Sequence, residues 1–331
     1  MSEVAVLGGG AWGTALAVHL AQYSHVRPRV KLYIRSEAQL RDCRAARENR
    51  RYLPDVRLPD SIVLTSSLDE AGSADLLFAA TPVSELLPLA AMLKSAGVVA
   101  PLVSLAKGFV GSGDDWSLPH RALASAWPRP VGTVTGPTFA EEVARGLPTA
   151  LVVGATDTAL TTSVAALLRG DTLRAYASDD LPGIEVGGAV KNVFAIAAGT
   201  SDGLGFGDNA RAALITRGLA EAGRLSAALG GRRETLTGLA GLGDLVLTCT
   251  GNLSRNRRVG LALASGQPLA HIVESIGHVA EGVTAARAAR DLARRFALDM
   301  PIVDAVHRVL YEKFAPRDAV LALLAREPRA E

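Results

Sequence analysis

The sequence predicts an α/β protein whose first half forms a doubly wound parallel sheet and whose second half is entirely helical. Between residue 3 and about residue 176, short β-rich runs alternate with helical stretches, a pattern typical of a parallel sheet with helices on both faces. Beyond about residue 180 the strand pattern stops and amphipathic helical patterns take over. The turn DDLPG at 179–183 separates the halves. We therefore expect two domains, at residues 1–182 and 183–331.

The expected elements follow in chain order. The predicted strands are VAVLG (4–8), RVKLYI (29–34), SIVLT (61–65), ADLLFAA (74–80), PLVSLA (101–106), VGTVTG (131–136), ALVVGA (150–155) and LRAYA (173–177). The predicted helices of the second half are 180–200, 208–229, 253–265, 280–297, 301–312 and 316–326.

Composition excludes several classes of protein. The net charge is only +2 and the arginines are interspersed with acids, so we expect no nucleic-acid partner. No apolar run reaches the roughly 18 residues that span a bilayer, and Glu3 stands where a secretion signal carries positive charge. These features predict a cytoplasmic protein without a membrane span. The two cysteines are far apart and the six histidines lack ligand spacing, so neither a disulfide framework nor a metal site is expected.

A glycine-rich turn directly follows the first predicted strand and opens a helix. Gly8, Gly10 and Gly13 form the pattern G-x-G-x-x-G. In this pattern the first glycine allows the tight turn, the second lets a pyrophosphate approach the backbone, and the third lets helix and strand pack closely. The helix N-terminus adds N–H donors and a partial positive charge. The turn predicts dinucleotide binding and hence a Rossmann-type N-terminal domain.

The end of the second strand bears on which dinucleotide binds. An acidic residue there would bind the ribose hydroxyls of NAD, but the chain has Arg35 and Ser36, with no acid until Glu37. An arginine suits the 2′-phosphate of NADP, although a solvated arginine at a strand end is an alternative. Trp12, inside the glycine turn, is interpreted either as a packing residue or as a cofactor contact.

Two further motifs lie near the expected ligand edge of the sheet. Lys107 in SLAKGF follows the fifth strand, and ligands bind at the carboxyl ends of strands in such sheets. In GPTFAEE, residues 136–142, Thr138 and Glu141 have capping-box spacing. The helix start predicted there could instead hold an anion, so both interpretations stay open.

The helix around Lys191 sets an ammonium group among apolar and small residues. The chain contains only five lysines against thirty arginines. One helical turn away from Lys191 lie Gly187, Gly188 and Ala195, and Ala198 lies two turns away on the same face. Such small neighbours leave room for another helix or for a ligand, and the domain junction nearby favours a ligand. A lysine that simply snorkels to the surface is the alternative.

The segment GLGDLVLTCTGNLSRN, residues 241–256, concentrates polar groups before a helix. Ser254 is placed as an N-cap, so Arg255 and Asn256 stand at a helix N-terminus, where a forked cation and N–H donors suit a phosphate. A solvated basic face is the alternative. Asp244 needs a partner if it is buried, and we expect Lys191 to be that partner.

Seven motifs in order resemble the bacterial NAD(P)-dependent glycerol-3-phosphate dehydrogenase family: GGGAWGTALA, NRRYLP at 49–54, AKGF, GPTFAEEVARG, EVGGAVKN, GLGDLVLTCT with SRNRRVG, and HVAEG at 278–282. The resemblance covers nearly the whole chain. It implies hydride transfer between NAD(P)H and dihydroxyacetone phosphate to give sn-glycerol 3-phosphate for glycerophospholipid synthesis. It also implies a homodimer.

The resemblance implies a role for each matching residue. Lys191 matches the catalytic lysine and Asp244 its carboxylate partner. The positions that hold substrate are matched by Lys107, Gly136, Thr138, Lys191, Asp244, Ser254, Arg255 and Asn256. The cofactor positions are matched by Gly8, Gly10, Ala11, Trp12, Gly13, Arg35, Tyr52, Lys107, Ala140, Arg255, Val279 and Glu281.

The chain departs from the family pattern at two positions. Ala11 stands where the family commonly has serine, which removes one hydrogen bond to the cofactor phosphates, and Tyr33 stands where it commonly has tryptophan. Arg35 favours NADPH, with NADH as the second cofactor. Another NADP dehydrogenase, of the β-hydroxyacid type, and a non-enzymatic NADP sensor are the alternative functions.

Overall fold

The computed structural model describes residues 3–276 and 281–325. The chain forms two compact units. The first contains the residues up to Val110 and the stretch Ser117–Leu181, and the second contains Gly111–Trp116 and the residues from Pro182 onward. The short stretch Gly111–Trp116 is fixed in the second unit, because the indole Nε1 of Trp116 donates to Asp291 Oδ2 at 2.9 Å. The sequence analysis did not predict that this stretch groups with the helices.

The first unit is built on an eight-stranded sheet. All eight predicted runs form strands in it. In chain order the strands of the protein are β1 (Glu3–Leu7), β2 (Arg29–Tyr33), β3 (Glu48–Asn49), β4 (Leu53–Arg57), β5 (Val63–Thr65), β6 (Leu76–Ala79), β7 (Leu102–Ser104), β8 (Val131–Thr135), β9 (Thr149–Ala155) and β10 (Leu173–Ala177). Strands β3 and β4 form a separate antiparallel pair that was not predicted.

The strand order of the sheet is β10-β9-β8-β7-β6-β1-β2-β5. From β5 to β8 this order is that of the doubly wound dinucleotide-binding fold, whose direction reverses between β1 and β6. The expectation of a wholly parallel sheet was wrong at one place, because β9 pairs antiparallel with β8. Strand β10 then runs parallel to β9.

The sheet is buried on both faces. Alternate side chains of β1 enter different apolar clusters: Val4 and Val6 enter one, and Ala5 and Leu7 enter the other. The helices of the first unit are α1 (Ala11–Gln22), α2 (Glu37–Ala46), α3 (Leu68–Gly72), α4 (Leu86–Ser95), α5 (Pro119–Ala126), α6 (Ala140–Ala144) and α7 (Thr158–Leu168). Burial on both faces explains why the strands read as nearly continuous apolar runs.

The second unit is helical throughout its described part. Its helices are α8 (Leu181–Gly203, which begins one residue before the unit), α9 (Gly207–Ala228), α10 (Asp244–Thr250), α11 (Arg255–Ala264), α12 (Leu269–Ile276), α13 (Glu281–Arg295), α14 (Pro301–Tyr311) and α15 (Pro316–Leu324). Six of them correspond to predicted helices, whereas α10 and α12 were not predicted. The predicted fold class is confirmed.

Helix α8 is the central helix of this unit. By length and composition it could cross a membrane, but 94% of its most apolar stretch is buried inside the protein, as expected for the core helix of a globular fold. It also carries charged residues, Glu185, Lys191 and Asp202.

Glycines let two other segments approach α8 closely. A Cβ at Gly187 would lie 2.4 Å from the carbonyl oxygen of Ala240, and a Cβ at Gly199 would lie 2.1 Å from that of Arg257. A Cβ at Gly260 would in turn lie 2.1 Å from the carbonyl oxygen of Ile196. No side chain fits at these distances. The small residues around Lys191 therefore serve, at least in part, to bring α11 and the turn before α10 against α8.

Candidate active site

The glycine turn lies at the topological switch point of the sheet. Gly8 has φ +137°, and a Cβ there would lie 2.4 Å from the carbonyl oxygen of Ala80, just after β6. A Cβ at Gly13 would lie 2.1 Å from the carbonyl oxygen of Gly8. The first and third glycines are therefore required by the crossing of β1, β6 and α1, and ligands of doubly wound folds bind in this crevice.

The N-terminus of α1 has the donor set that a pyrophosphate needs. Gly10 is its N-cap and supplies no side-chain cap, so the first N–H groups of the helix have no intrahelical partner. A Cβ at Gly10 would meet nothing within 4 Å, so the space beside it is open. Ala11 and Trp12 follow, both partly buried. The indole Nε1 of Trp12 is buried and has no hydrogen-bond partner among the described residues. The turn thus fits the phosphates of a dinucleotide.

Arg35 lies in the loop after β2, and its side chain is 80% exposed. Its ion pair with Glu85, at 3.5 Å, joins two solvated side chains, and such pairs contribute little. Ser36 caps α2 by accepting from the Gln39 N–H. The guanidinium of Arg35 is therefore available for an anionic ligand.

Lys107 and Thr138 converge on the carbonyl oxygen of Gly136. The Lys107 Nζ and the Thr138 Oγ1 each donate to it at 3.1 Å. Of the two interpretations left open for this segment, the capping box does not form, because α6 begins at Ala140 and its N-cap is Phe139, which makes no side-chain cap bond. The Thr138 hydroxyl is instead turned to Gly136, whose own φ of +133° shapes the turn.

Lys191 and Asp244 form a buried ion pair, as the sequence analysis predicted. Their side chains are 8% and 1% exposed, and the Lys191 ammonium donates to Asp244 Oδ1. The hydroxyl of Thr248 donates to the Asp244 backbone carbonyl at 2.6 Å and lies 3.4 Å from Asp244 Oδ1. Nearby, burial raises the pKa of the Cys249 thiol to about 12, so that thiol stays protonated and unreactive.

A chain of amides beside this pair joins α8, α11 and α13. Asn256 Nδ2 donates to Asn192 Oδ1 at 2.9 Å, and Asn256 Oδ1 accepts from the Gly282 N–H at 3.0 Å. Asn192 Nδ2 lies 3.5 Å from Glu281 Oε2. Because Asn192 follows Lys191 and Asn256 follows Arg255, the Asn192–Asn256 bond brings the backbone of the lysine and that of the arginine together. Neither Asn192 nor Thr248 was predicted from the sequence to belong to the site, although both are polar residues in the segments around Lys191 and Asp244.

The N-terminus of α11 is organised as predicted at Ser254. The Ser254 Oγ accepts from the Arg257 N–H at 3.2 Å. Arg255 is exposed. In contrast, Arg257 makes two hydrogen bonds to Asp202 Oδ2 at the end of α8, at 3.0 and 2.7 Å. Arg255, which was predicted to bind phosphate, is thus exposed, while Arg257, two residues further on, anchors the helix to α8.

The remaining predicted cofactor residues are spread over several elements. Ala140 begins α6, which packs against α1. Tyr52 is half-buried beneath the Arg51 guanidinium, which lies 5.2 Å from the ring centroid. Glu281 begins α13, and Val279 lies outside the described residues.

Comparison with known proteins identifies the family. Models for the N-terminus and C-terminus of NAD-dependent glycerol-3-phosphate dehydrogenase match residues 3–161 and 180–321. A glycerol-3-phosphate dehydrogenase (NAD(P)+) from Nitrosomonas europaea is 51% identical over 333 residues, and the match covers 99% of both chains. A protein of the same name from Janthinobacterium sp. is also 51% identical, over 335 residues and 99% of both chains.

A solved structure supports the same family. The crystal structure of glycerol-3-phosphate dehydrogenase from Coxiella burnetii superposes with a TM-score of 0.92 at 38% identity, covering 98% of this chain and 99% of the other. With its glycine turn at the switch point and its buried lysine on a core helix, the chain belongs to the NAD-dependent glycerol-3-phosphate dehydrogenase family.

Proposed function

We propose that the protein catalyses the reversible reduction of dihydroxyacetone phosphate by NAD(P)H to sn-glycerol 3-phosphate, which would serve glycerophospholipid synthesis. One observation carries the assignment of the site: the 2.9 Å hydrogen bond between Asn192 and Asn256 joins the helix of the buried Lys191 to that of the exposed Arg255. The Lys191 ammonium and the Arg255 guanidinium are thereby supplied by two helices, α8 and α11, that are held together beside both residues. A phosphorylated ketone needs both groups, one at its carbonyl and one at its phosphate.

Lys191 is proposed to act on the carbonyl oxygen. A nicotinamide cofactor, when bound, would supply the hydride that the carbonyl carbon receives. The negative charge that develops on the oxygen is stabilised by the Lys191 ammonium, which also gives the oxygen its proton. An arginine would not release a proton near neutral pH, which gives a physical reason for a lysine in a chain that mostly uses arginine. Asp244 holds the amine by their ion pair and favours its charged form.

The rest of the predicted site is proposed to bind substrate and cofactor. Arg255 and Asn256, with the N-cap Ser254, would hold the substrate phosphate, and Lys107, Gly136 and Thr138 would complete the substrate site. Binding the remote phosphate aligns the carbonyl for reaction. The cofactor would be bound by Gly8, Gly10, Ala11, Trp12, Gly13, Arg35, Tyr52, Ala140, Val279 and Glu281.

NADPH is proposed as the preferred cofactor and NADH as the second. The exposed Arg35 supports this preference, because a 2′-phosphate would gain a charge-assisted contact there. From the family resemblance we further propose that the protein is a homodimer, and from its composition and charge that it is cytoplasmic and has no nucleic-acid partner.

The reaction is tested by following NADPH absorbance after addition of dihydroxyacetone phosphate. We expect oxidation of NADPH with this substrate and far slower oxidation with unphosphorylated dihydroxyacetone. A flat absorbance with dihydroxyacetone phosphate would refute the enzymatic assignment and favour a cofactor sensor. Equal rates with both ketones would refute the phosphate site.

A matched pair of variants locates the phosphate site. Arg255→Ala should raise the KM for dihydroxyacetone phosphate roughly 10- to 150-fold, the range for losing a hydrogen bond to a charged group. Arg258→Ala removes another exposed arginine from the same helix and should leave the KM unchanged. Equal effects of the two changes would contradict a specific role for Arg255.

A further inference from the structure

The carbonyl oxygen of Gly9, in the middle of the glycine turn, is held by two side-chain amides. Gln39 Nε2 donates to it at 2.6 Å, and Asn49 Nδ2 donates to it at 2.9 Å. Gln39 lies on α2. Asn49, the first residue of the NRRYLP run, lies on β3. Two segments remote from the turn in sequence therefore fix one peptide group of it.

Asn49 is committed entirely to this arrangement. It is only 1% exposed. Its Nδ2 also donates to Thr14 Oγ1 at 2.7 Å, and its Oδ1 lies 3.3 Å from Gln39 Nε2. An amide nitrogen has two hydrogens, so the contacts to Gly9 and Thr14 use both. The side chain has no donor left for a ligand, and its effect on the turn must be indirect.

The planarity of the peptide bond gives this contact a consequence for the turn. The trans peptide between Gly9 and Gly10 directs its C=O and its N–H to opposite sides. Holding the Gly9 oxygen toward Asn49 and Gln39 therefore directs the Gly10 N–H away from them. Both residues are glycines, whose backbone rotates with little steric resistance. Without the two amides this peptide could turn over and present its oxygen, the negative end of its dipole, to an approaching phosphate.

We propose that Asn49 and Gln39 form an amide clamp on the Gly9 carbonyl that keeps the glycine turn in its anion-binding orientation. Asn49 is thus a positioning residue for the cofactor and does not touch it. The inference rests on the proposed binding of NADPH at this turn.

The clamp is tested by substitutions that remove its hydrogen-bond donors while keeping the side chains nearly the same size and shape. Asn49→Asp replaces an amide that donates to Gly9 with an oxygen that repels it, and Gln39→Met removes the other donor at a half-buried position. Fluorescence titration should show NADPH binding at least about tenfold weaker for Asn49→Asp and at least about threefold weaker for Gln39→Met, from lost hydrogen bonds. The KM for dihydroxyacetone phosphate should stay unchanged in both.

Two controls separate positioning from general damage. Thr14→Val removes the other acceptor of the same Asn49 amide, so it should lower the melting temperature while leaving NADPH affinity within about twofold, because the bond to Gly9 persists. Adenosine 2′-monophosphate lacks the pyrophosphate, so all variants should bind it as the unaltered protein does.

The outcomes are distinct. The clamp is wrong if both donor variants bind NADPH as tightly as the unaltered protein, or if they lose adenosine 2′-monophosphate to the same extent as NADPH. Failure of the unaltered protein to bind NADPH would instead overturn the proposed cofactor site, and the clamp with it.

Discussion

Replacing Asp244 with asparagine removes one charge from a pair that is almost wholly buried. The two side chains are 1% and 8% exposed, so solvent cannot replace the lost partner of Lys191. Breaking a buried ion pair from one side typically costs about 3–5 kcal/mol, since it leaves an uncompensated charge. For a unit of this size each kcal/mol lowers the melting temperature by about 2–4 °C. We therefore expect Asp244→Asn to melt roughly 6–20 °C lower than the unaltered protein.

Calorimetry with a matched variant checks this magnitude. Asp208→Asn also removes an aspartate from an ion pair, that with Arg211, but Asp208 is 87% exposed, so the change should cost less than about 1 kcal/mol. Adding Lys191→Met to Asp244→Asn removes the stranded charge and should recover most of the lost stability. Turnover should remain low in both the single and the double variant.

The burial argument would be refuted by equal melting temperatures of Asp244→Asn and Asp208→Asn. It would also be refuted if Lys191→Met destabilised the Asp244→Asn variant further. Either result would mean that Asp244→Asn does not leave an unpaired charge buried at Lys191.

Two more outcomes follow from individual side chains. Glu221 accepts the Ile302 and Val303 N–H groups at the start of α14. Burial raises the pKa of the Glu221 carboxyl group from an ordinary 4.5 to about 7. Its folded-state pKa is the higher one, so the stability it contributes is complete below about pH 4.5 and is lost as the pH rises through 7. Urea unfolding should show that the free energy of unfolding falls by about 3 kcal/mol across this pH range in the unaltered protein but not in Glu221→Gln. The same dependence of stability on pH in both proteins would contradict this. Separately, Arg35→Asp should shift the ratio of kcat/KM values from NADPH toward NADH by at least about tenfold without changing the melting temperature, and an unchanged ratio would remove Arg35 from cofactor selection.

Local sequence patterns predicted the secondary-structure elements better than the pairing and packing of those elements. The eight strands of the main sheet and most helices of the second unit were predicted because apolar periodicity is a local property. The direction of β9 was not predictable in this way, since a strand buried on both faces reads alike in parallel and antiparallel pairing. Helix α10 was missed because its segment is rich in glycine and threonine, which have low helix propensity. Its formation depends on tertiary contacts such as that of Asp244 with Lys191.

In the candidate site, too, a feature that follows from a general physical rule was predicted, whereas contacts that depend on how elements meet were not. The pairing of Lys191 with Asp244 followed from the cost of burying a lone carboxylate, which is a general rule. The capping box at Thr138 does not form, because α6 begins one residue later than that spacing requires, with Phe139 as its N-cap, and the Thr138 hydroxyl donates to the Gly136 carbonyl. The amide network of Asn192 and Asn256 depends on two helices meeting, and nothing within either helix indicates that contact.

Lys191 is the proposed proton donor, and the turnover of Lys191→Ala tests that role. The variant should still bind NADPH, and its kcat with dihydroxyacetone phosphate should fall by at least about a hundredfold, the lower range for loss of general acid–base catalysis. A kcat close to that of the unaltered protein, measured with NADPH bound, would contradict the role of Lys191.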